Sequence, residues 1–403
     1  IGFATAFASA VADERPRARD LGVPLEGTPG ELNAITDVDG VTVGHATIIE
    51  GDGKVVAGQG PIRTGVTAIL PRGADGIATP VFAGSFALNG NGEMTGTIWI
   101  EEGGQLGGPI TITNTHSVGV VRDASIEWML TRDNSLEWAL PVTAETWDGS
   151  GYNYQGLNDA NGFHVTKEHA FEALDNARPG PVVEGSVGGG TGMVCSEFKG
   201  GIGTSSRMVE VAGEIYTVGV LVQCNYGLRE WLRIAGVPVG QEIDEPGICF
   251  ENAEYWFEES VDPPCNEDTE GRGEDQGSII VVVATDAPLL PHQLKRVARR
   301  VGPALGRVGS FVSNGSGDIF IAFSTANAEA FGYDGVMQAQ MLPNSSLTPL
   351  FAGAVLATEE AILNAMLAAD TMVGANTIRV PGLPHAELQR VLQKYNRLED
   401  SAE

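Results

Sequence analysis

The residue with the clearest chemical potential is Ser278, which stands where a polar segment meets a strongly apolar run. Gln276-Gly277 precedes it, and the run SIIVVVATDAPLLP that begins with it is β-prone enough to predict a buried strand. Cleavage between Gly277 and Ser278 would leave an α-amino group on the residue that carries the hydroxyl. Such an amine has a pKa of about 7.7–8.0 and can accept the hydroxyl proton. The pattern fits a self-generated N-terminal nucleophile, but a Gly-Ser pair is also typical of an ordinary turn.

Two histidines offer another way to activate a serine. His116 lies in ITNTHSVG and His164 lies in NGFHV, and either would suit a Ser-His pair. Both also fit core or turn positions in which hydrogen bonds hold the imidazole. The glycine-rich stretch GSVGGGTG is similar to a phosphate-binding loop, but it lacks the G-K-[ST] ending that such a loop requires. The phosphate-loop interpretation is therefore not favoured.

The elements around these residues mix short strands with long helices. Between Ile35 and Ile112 the β-type runs are GVTVGHATII, TGVTAILP, GTIWI and GPITITNT, and PVTAET and GDIFIAFST are predicted as strands further along. Apolar spacing predicts helices at 118–132, 166–176, near 227–235, at 291–302 and at 350–369. Strict strand-helix alternation is missing. This order favours an α+β fold of stacked layers, with helices covering two sheets, over a doubly wound sheet.

The charge balance excludes several classes of partner. The 403 residues include 24 Lys+Arg and 52 Asp+Glu, which gives a net charge of −28. Such a chain would be repelled by nucleic acid and by anionic membrane surfaces. After the N-terminal residues there is no uninterrupted apolar run of about 18 residues, so no membrane-spanning segment is predicted.

The N-terminal residues suggest an exported protein. Residues 1–12 are apolar and small, and Ala8-Ser9-Ala10 has the form of a signal-peptidase site, so we interpret them as a signal-peptide remnant cut between Ala10 and Ala12. An ordinary N-terminal strand or helix is the alternative. The acidic linker 241–277 is predicted to be exposed and mobile. The expected location is the periplasm or the exterior.

Four cysteines are spread over the middle of the chain. Cys249 and Cys265 bracket an acidic stretch inside the linker 241–277 and can close it as a disulfide in an oxidising compartment. Cys195 and Cys224 lie in apolar, strand-like surroundings and are predicted to be buried thiols. No C-x-x-C spacing occurs, so a zinc site is not expected.

Several long motifs resemble one known family. They include RARDLGVP, LNAITDV, AETWDG with LNDANGFHV, GSVGGGTGM, VQCNYG, GSIIVVVATDAPLLPHQLKR and NGSGDIFIAFSTAN, and they run from Arg17 almost to the C-terminus. The sequence resembles the DmpA/BapA family of self-processing serine aminopeptidases, which is related to the N-terminal-nucleophile hydrolases. This family contains L-aminopeptidase/D-amidase-esterases and β-aminopeptidases, and the longest motifs point to the β-aminopeptidase branch.

The resemblance implies a role for each matching residue. Ser278 matches the nucleophile, freed by autocleavage after Gly277. Ser316 and Asp318, in SNGSGDIF, match the residues that orient and activate it; Asp318 stands where the β-aminopeptidase pattern has Glu and so reaches one methylene less far. Asn225, in VQCNYG, matches the side-chain oxyanion donor. Glu145, in AET, matches an acidic residue at the substrate entrance that would pair with a substrate ammonium.

The resemblance also implies architecture and activity. The expected fold is a four-layer α-β-β-α sandwich, like that of DmpA and the ornithine acetyltransferases, formed as one folding unit and cut into an α chain, 13–277, and a β chain, 278–403. A homotetramer of αβ heterodimers without metal or cofactor is implied. The substrates would be small peptides and amides, with β-amino acids at their N-termini as first choice and L-α or D residues as further options.

The rivals are an acyltransferase of the ornithine acetyltransferase type and a non-catalytic binding protein on the same fold. The long segment 245–276 departs from relatives, which have a shorter linker.

Overall fold

A computed structural model describes residues 15–149, 156–256, 260, 262–265, 277–332 and 335–399. Within these ranges the helices are α1 Thr97–Gly103, α2 Val118–Arg132, α3 Lys167–Asp175, α4 Val239–Glu242, α5 Pro291–Arg299, α6 Val301–Val308, α7 Thr348–Leu367 and α8 His385–Lys394. The strands are β1 Thr42–Glu50, β2 Ile62–Leu70, β3 Val81–Gly90, β4 Gln105–Leu106, β5 Ile110–Asn114, β6 Val142–Thr146, β7 Val194–Cys195, β8 Phe198–Lys199, β9 Gly201–Val211, β10 Glu214–Asn225, β11 Cys249–Phe250, β12 Ser278–Thr285, β13 Gly317–Ser324, β14 Met372–Val373 and β15 Ile378–Val380. The proposed signal remnant, 1–12, lies outside the described residues.

Two packed sheets form the centre of the fold. One sheet has the order β1-β2-β5-β6, and the larger one has the order β4-β3-β13-β12-β10-β9. Apolar side chains from both sheets, such as Ile112, Ala144, Leu221 and Ile280, fill the space between them. Burying apolar surface on both faces explains why the central strands are continuous hydrophobic runs and do not alternate.

Helices cover the outer faces of both sheets. On the smaller sheet, α2 and α3 bring Trp128 and Ala170 against the strands. On the larger sheet, α7 packs on β9 and β10, and α5 packs on β3 and β13. The helix α6 packs against α7, and Leu294, Leu305 and Ala361 are among the buried residues of this layer. The layers therefore follow the order helix, sheet, sheet, helix, which confirms the predicted α+β four-layer sandwich.

Two local predictions are wrong. The run GTIWI, expected as a strand, begins α1, because Gly96 adopts a left-handed conformation before it and only Ile100 of the helix is buried. β-propensity measures the fit to a half-buried sheet surface, and this segment has no such neighbour. The helix expected near 227–235 is reduced to one 3-10 turn, Arg229–Trp231.

The helix α7 is long and apolar enough to cross a membrane by composition alone, and it is the one such helix in the described part of the chain. It is 78% buried inside the protein. Its buried carboxylates have partners, since Glu360 forms an ion pair with Arg207 at 2.6 Å and Glu359 pairs with Arg307. These contacts identify α7 as a core helix of the outer layer.

Both cysteine pairs are bonded. Cys249 forms a disulfide with Cys265, as predicted. The prediction that Cys195 and Cys224 are free thiols is wrong, because they form a second disulfide with Cα atoms 5.6 Å apart. They are buried, as expected, but β7 lies beside the end of β10, and this long-range contact cannot be seen in the sequence.

The acidic linker is more ordered than its composition predicts. In its described part, β11 pairs with β15, and Phe250 is fully buried. The backbone of Phe250 also exchanges hydrogen bonds with Pro263 and Cys265. The expectation of a wholly exposed, mobile segment is therefore wrong for this part, because a few apolar residues between the carboxylates supply a small core of their own. Residues 257–259, 261 and 266–276 lie outside the described residues.

Candidate active site

Ser278 is the first residue of β12 and lies in the middle of the larger sheet. It is opposite Asn225 in the antiparallel ladder with β10 and opposite Gly317 in the parallel ladder with β13. The residue is 7% exposed. Its hydroxyl oxygen is 3.2 Å from the position that a Cβ would take on Gly317. Two strands thus fix the serine, and the absence of a side chain on Gly317 leaves room for its hydroxyl.

Gly277 is required by close packing. A Cβ on this residue would lie 2.1 Å from the carbonyl oxygen of Asn225 and 2.4 Å from the Cα of Tyr226. The Gly277 carbonyl accepts a hydrogen bond of 3.2 Å from the Gly317 N–H. The peptide group before Ser278 is therefore held by β10 on one side and by β13 on the other.

Ser316 and Asp318 flank Gly317 and contact each other. The Ser316 hydroxyl donates to Asp318 Oδ2 at 2.5 Å and lies 2.8 Å from the Ser313 carbonyl. Both residues are 1% exposed, so the bond between the hydroxyl and the carboxylate is shielded from water. Charge-assisted hydrogen bonds of this kind are short and strong.

Two asparagines that the sequence did not single out fasten this loop. Asn89 Nδ2 donates to the carbonyls of Ser313 and Ser316, and Asn91 Nδ2 donates to the carbonyl of Gly315. Asn89 lies at the end of β3 and Asn91 directly after it, and β3 pairs with β13. The repeated Asn-Gly pairs in LNGNGE, directly after a strand, are the signal that marks this turn.

The side chain of Asn225 has a defined orientation. Its Oδ1 accepts a hydrogen bond from the Val194 N–H at 2.8 Å, and its Nδ2 donates to the Trp147 carbonyl at 2.8 Å. Because a backbone N–H can only donate, the amide oxygen must face Val194. The amide nitrogen then faces Trp147, on the same end of β10 as Ser278.

Glu145 lies on the other sheet, close to Gly317, the strand partner of Ser278. Its Oε1 accepts a hydrogen bond from the Glu93 N–H at 2.9 Å, and its Oε2 accepts one from the Thr115 hydroxyl. Glu145 is 3% exposed, and burial raises the pKa of its carboxyl. A Cβ on Gly92 would be 3.1 Å from Oε1 of Glu145 and 3.5 Å from the Cα of Gly317. The Glu145 carboxylate and Gly317, the strand partner of Ser278, therefore border the same space.

A groove of about 760 Å³ opens beside these residues. Gly92 and Ile319 line its inner end, and α1 and α5 contribute Glu101 and Arg299 to its walls. This volume is in the range of pockets that hold small organic ligands.

Among the described residues neither histidine forms a hydrogen bond with Ser278. His116 lies between two aromatic rings, with its centroid 4.9 Å from that of Trp147 and 5.7 Å from that of Phe163. His164 Nε2 is 2.9 Å from Asp159 Oδ2. The structure therefore gives both histidines other contacts. The glycine stretch 188–190 is a buried 3-10 turn packed against β2 and β9, which removes the phosphate-loop interpretation.

A buried carboxylate lies next to the residue that contacts Asn225. Asp148 is 1% exposed, and Asn158 Nδ2 donates to its Oδ1 at 3.0 Å. Burial raises the pKa of Asp148 to about 7, and a hydrogen bond from Thr64 opposes that shift. Sequence analysis missed this residue, because nothing in AETWDG distinguishes a buried aspartate from a turn residue.

Comparison with known proteins finds similar peptidases over nearly the whole chain. Residues 33–380 match Peptidase family S58. Two proteins named Beta-peptidyl aminopeptidase BapA are similar: that of Sphingosinicella microcystinivorans is 54% identical, covering 97% of this chain and 96% of its own, and that of Sphingosinicella xenopeptidilytica is 48% identical, covering 94% and 91%.

A solved structure agrees with the fold. The L-aminopeptidase D-Ala-esterase/amidase of Ochrobactrum anthropi, described as a prototype for the serine aminopeptidases and a variant of the Ntn hydrolase fold, superposes with a TM-score of 0.84. It is 46% identical, over 95% of this chain and 100% of that chain. The chain therefore belongs to peptidase family S58 and is a hydrolase of the serine aminopeptidase type.

Proposed function

We propose that the protein is a self-processing β-aminopeptidase whose nucleophile is Ser278. The observation that carries this proposal is the peptide group between Gly277 and Ser278, which β10 and β13 grip on either side next to the serine hydroxyl. An acyltransferase and a non-catalytic binding protein are not favoured, because the relatives over the full length are peptidases.

Maturation begins when Ser278 Oγ attacks the Gly277 carbonyl carbon. The hydrogen bond from the Gly317 N–H supports stabilisation of the developing oxyanion. The hydroxyl proton passes to the Ser278 nitrogen as the C–N bond breaks, so that the Gly277 acyl group moves from this nitrogen to the Ser278 oxygen. Water hydrolyses this ester, which leaves a carboxylate on Gly277 and both a free amine and a free hydroxyl on Ser278.

Turnover uses the two groups that maturation frees. The Ser278 amine takes the hydroxyl proton as the oxygen attacks the substrate carbonyl. Ser316 and Asp318 flank Gly317, the strand partner of Ser278, and their hydrogen-bonded pair orients and polarises the serine. The amide nitrogen of Asn225 carries a second hydrogen beside the one given to Trp147, and we assign it to the oxyanion. The leaving amine receives the proton, and water then hydrolyses the acyl-enzyme.

Substrates are short peptides, amides or esters with a free N-terminal ammonium. Glu145 would pair with this ammonium, and the buried setting of its carboxylate strengthens such an interaction. The adjoining groove gives room for a short peptide. The two similar enzymes named β-peptidyl aminopeptidases support N-terminal β-amino acids as the first choice of substrate.

Assembly and location complete the proposal. The mature protein forms a homotetramer of αβ heterodimers, with an α chain ending at Gly277 and a β chain beginning at Ser278, and it works in the periplasm or outside the cell. Two disulfides support an oxidising compartment, because such bonds seldom persist in a reducing cytosol. No cofactor is required by this chemistry.

The test is the intact mass and the N-terminal sequence of the expressed protein, with Ser278→Ala as the control. The expected result is two fragments, the shorter beginning SIIVVV, and an uncut variant. Mature enzyme is then assayed on matched β-alanyl and L-alanyl amides, and the β-alanyl amide should be the better substrate. A wild-type chain that remains whole would overturn the mechanism.

A further inference from the structure

Lys199 is an unusual lysine because its side chain is completely buried. Its residue is 0% exposed, and it lies on β8, two residues before Gly201 begins β9. The ammonium Nζ donates to the carbonyl oxygens of Met193 at 2.7 Å and Gly200 at 2.9 Å. Among the described residues no carboxylate forms an ion pair with it, although buried lysines normally require one.

The Met193 carbonyl connects this ammonium to the active site. It belongs to the same peptide group as the Val194 N–H, which donates to Oδ1 of Asn225 at 2.8 Å. The amide nitrogen at the other end of that side chain donates in turn, at present to the Trp147 carbonyl. A continuous series of hydrogen bonds thus runs from Lys199 to the amide N–H groups of Asn225, with each donor preceding its acceptor in the same order.

We propose that Lys199 is a positioning residue that polarises Asn225 through the Met193–Val194 peptide group and so strengthens its hydrogen bond to the transition-state oxyanion. The inference rests on the proposed role of Asn225. Lys199 itself touches neither substrate nor nucleophile in this account. The same cation also contributes a positive field in a region from which water is excluded.

Two physical effects support this role. Hydrogen bonds in a series polarise one another, and each is strengthened when a charged donor heads the series. Charge acts over several ångströms in the interior, where the effective dielectric constant is low. Burial lowers the pKa of Lys199 to about 7, while its two carbonyl acceptors favour the charged form.

The neighbouring disulfide provides a matched control. Cys195 follows Val194, and its bond to Cys224 ties the same turn to β10 without introducing charge. If Lys199 served only to hold this turn, its removal and the removal of the disulfide would have the same kind of effect. Polarisation predicts different effects, because only the lysine carries a charge.

The experiment compares Lys199→Met with the double variant Cys195→Ala/Cys224→Ala after both have matured. For Lys199→Met we expect kcat to fall about tenfold with KM within about twofold, because only the transition state carries the oxyanion. For the disulfide variant we expect a lower unfolding temperature with kcat within about twofold of the wild type. In Lys199→Gln, which keeps an uncharged N–H donor, kcat should fall as it does in Lys199→Met. This variant replaces Lys199→Met in the experiment if the methionine variant does not fold.

A tetrahedral inhibitor gives the second readout. An aminoalkylboronic acid that bonds to Ser278 places a negatively charged oxygen where the oxyanion forms, so its inhibition constant should rise about tenfold in Lys199→Met. Unchanged kcat and inhibition constant, or equal losses in the disulfide variant, would overturn the proposal for Lys199. Failure of the wild type to cleave itself would instead overturn the proposed function, so the two failures are distinguishable.

Discussion

The two sides of the bond between Gly277 and Ser278 are held by different means. On the Ser278 side, all eight residues of β12 are buried, and the strand pairs with β10 and β13 along its whole length. On the other side, the described part of the acidic linker is attached through the short strand β11 and the Cys249–Cys265 disulfide. Ser278 thus belongs to the buried core, while the linker before it has an anchor of its own.

This difference would allow the proposed cut to leave the fold intact. The strand β11 precedes the cleavage site and pairs with β15, which follows it, so both products remain in one fold. Only the contact around Gly277 must change when the bond breaks. Substitutions close to the bond should therefore affect chemistry strongly, and substitutions in the linker should affect stability alone.

The largest effect is expected from Gly277→Ala. The added methyl group would lie 2.1 Å from the Asn225 carbonyl, so the peptide group must leave its position between β10 and β13. We expect self-cleavage, followed by gel electrophoresis over time, to slow at least about 100-fold. Gly119→Ala, at a position with open space around it, is the control and should mature normally. Normal cleavage of Gly277→Ala would show that the strand contacts do not set the geometry.

Asp318→Asn should have the next largest effect. The amide has no negative charge to accept the short hydrogen bond from Ser316, so we expect kcat to fall about 100-fold. Asp318→Glu restores the charge with one more methylene and should recover most of the activity. Steady-state kinetics on a β-alanyl amide measures both. Equal activity of the Asn and Glu variants would exclude a role for the charge.

Asp148→Asn should change the pH dependence of stability. The folded pKa of Asp148, about 7, lies above its ordinary value of 3.8, so its contribution to stability is complete below about pH 4 and is lost as the pH rises through 7. Wild-type stability relative to the variant should therefore fall by up to about 4 kcal/mol between pH 4 and pH 8. Urea unfolding at both pH values measures this difference. A difference that does not vary with pH would contradict the raised pKa.

The smallest effect on chemistry is expected from Cys249→Ala/Cys265→Ala. Opening this loop, with its sequence separation of 16, should lower the free energy of unfolding by about 3 kcal/mol. The rates of self-cleavage and turnover should stay within about twofold of the wild type, because the bond does not touch β10, β12 or β13. A large loss of cleavage rate would mean that the linker helps to strain the Gly277–Ser278 bond.

Patterns that depend on neighbours in the chain were predicted well. The helix 118–132 has the predicted bounds, and a strand begins at Ser278 as predicted, because apolar spacing and a β-branched run are local signals. Ser316 and Asp318 were singled out through the family resemblance, and their side chains are in contact. The long motifs carried the family, which Peptidase family S58 confirms.

Features that depend on long-range contacts could not be predicted. The Cys195–Cys224 disulfide and the path from Lys199 to Asn225 exist because a turn at 193–200 folds onto the end of β10. The side chain of Glu145 is held by Glu93, 52 residues earlier in the chain. Propensity carries no information on such contacts, and in α1 the β-propensity of the run had no sheet neighbour to act on.

The central claim is that Ser278 forms the covalent intermediate in the mature enzyme. The most direct test is rapid acid quenching of the mature protein with a β-alanyl ester, followed by peptide mapping by mass spectrometry. The account predicts one β-alanyl group, on the N-terminal peptide of the chain that begins SIIVVV, and none in the Ser278→Ala protein. An acyl group on any other residue, Ser316 included, would contradict it.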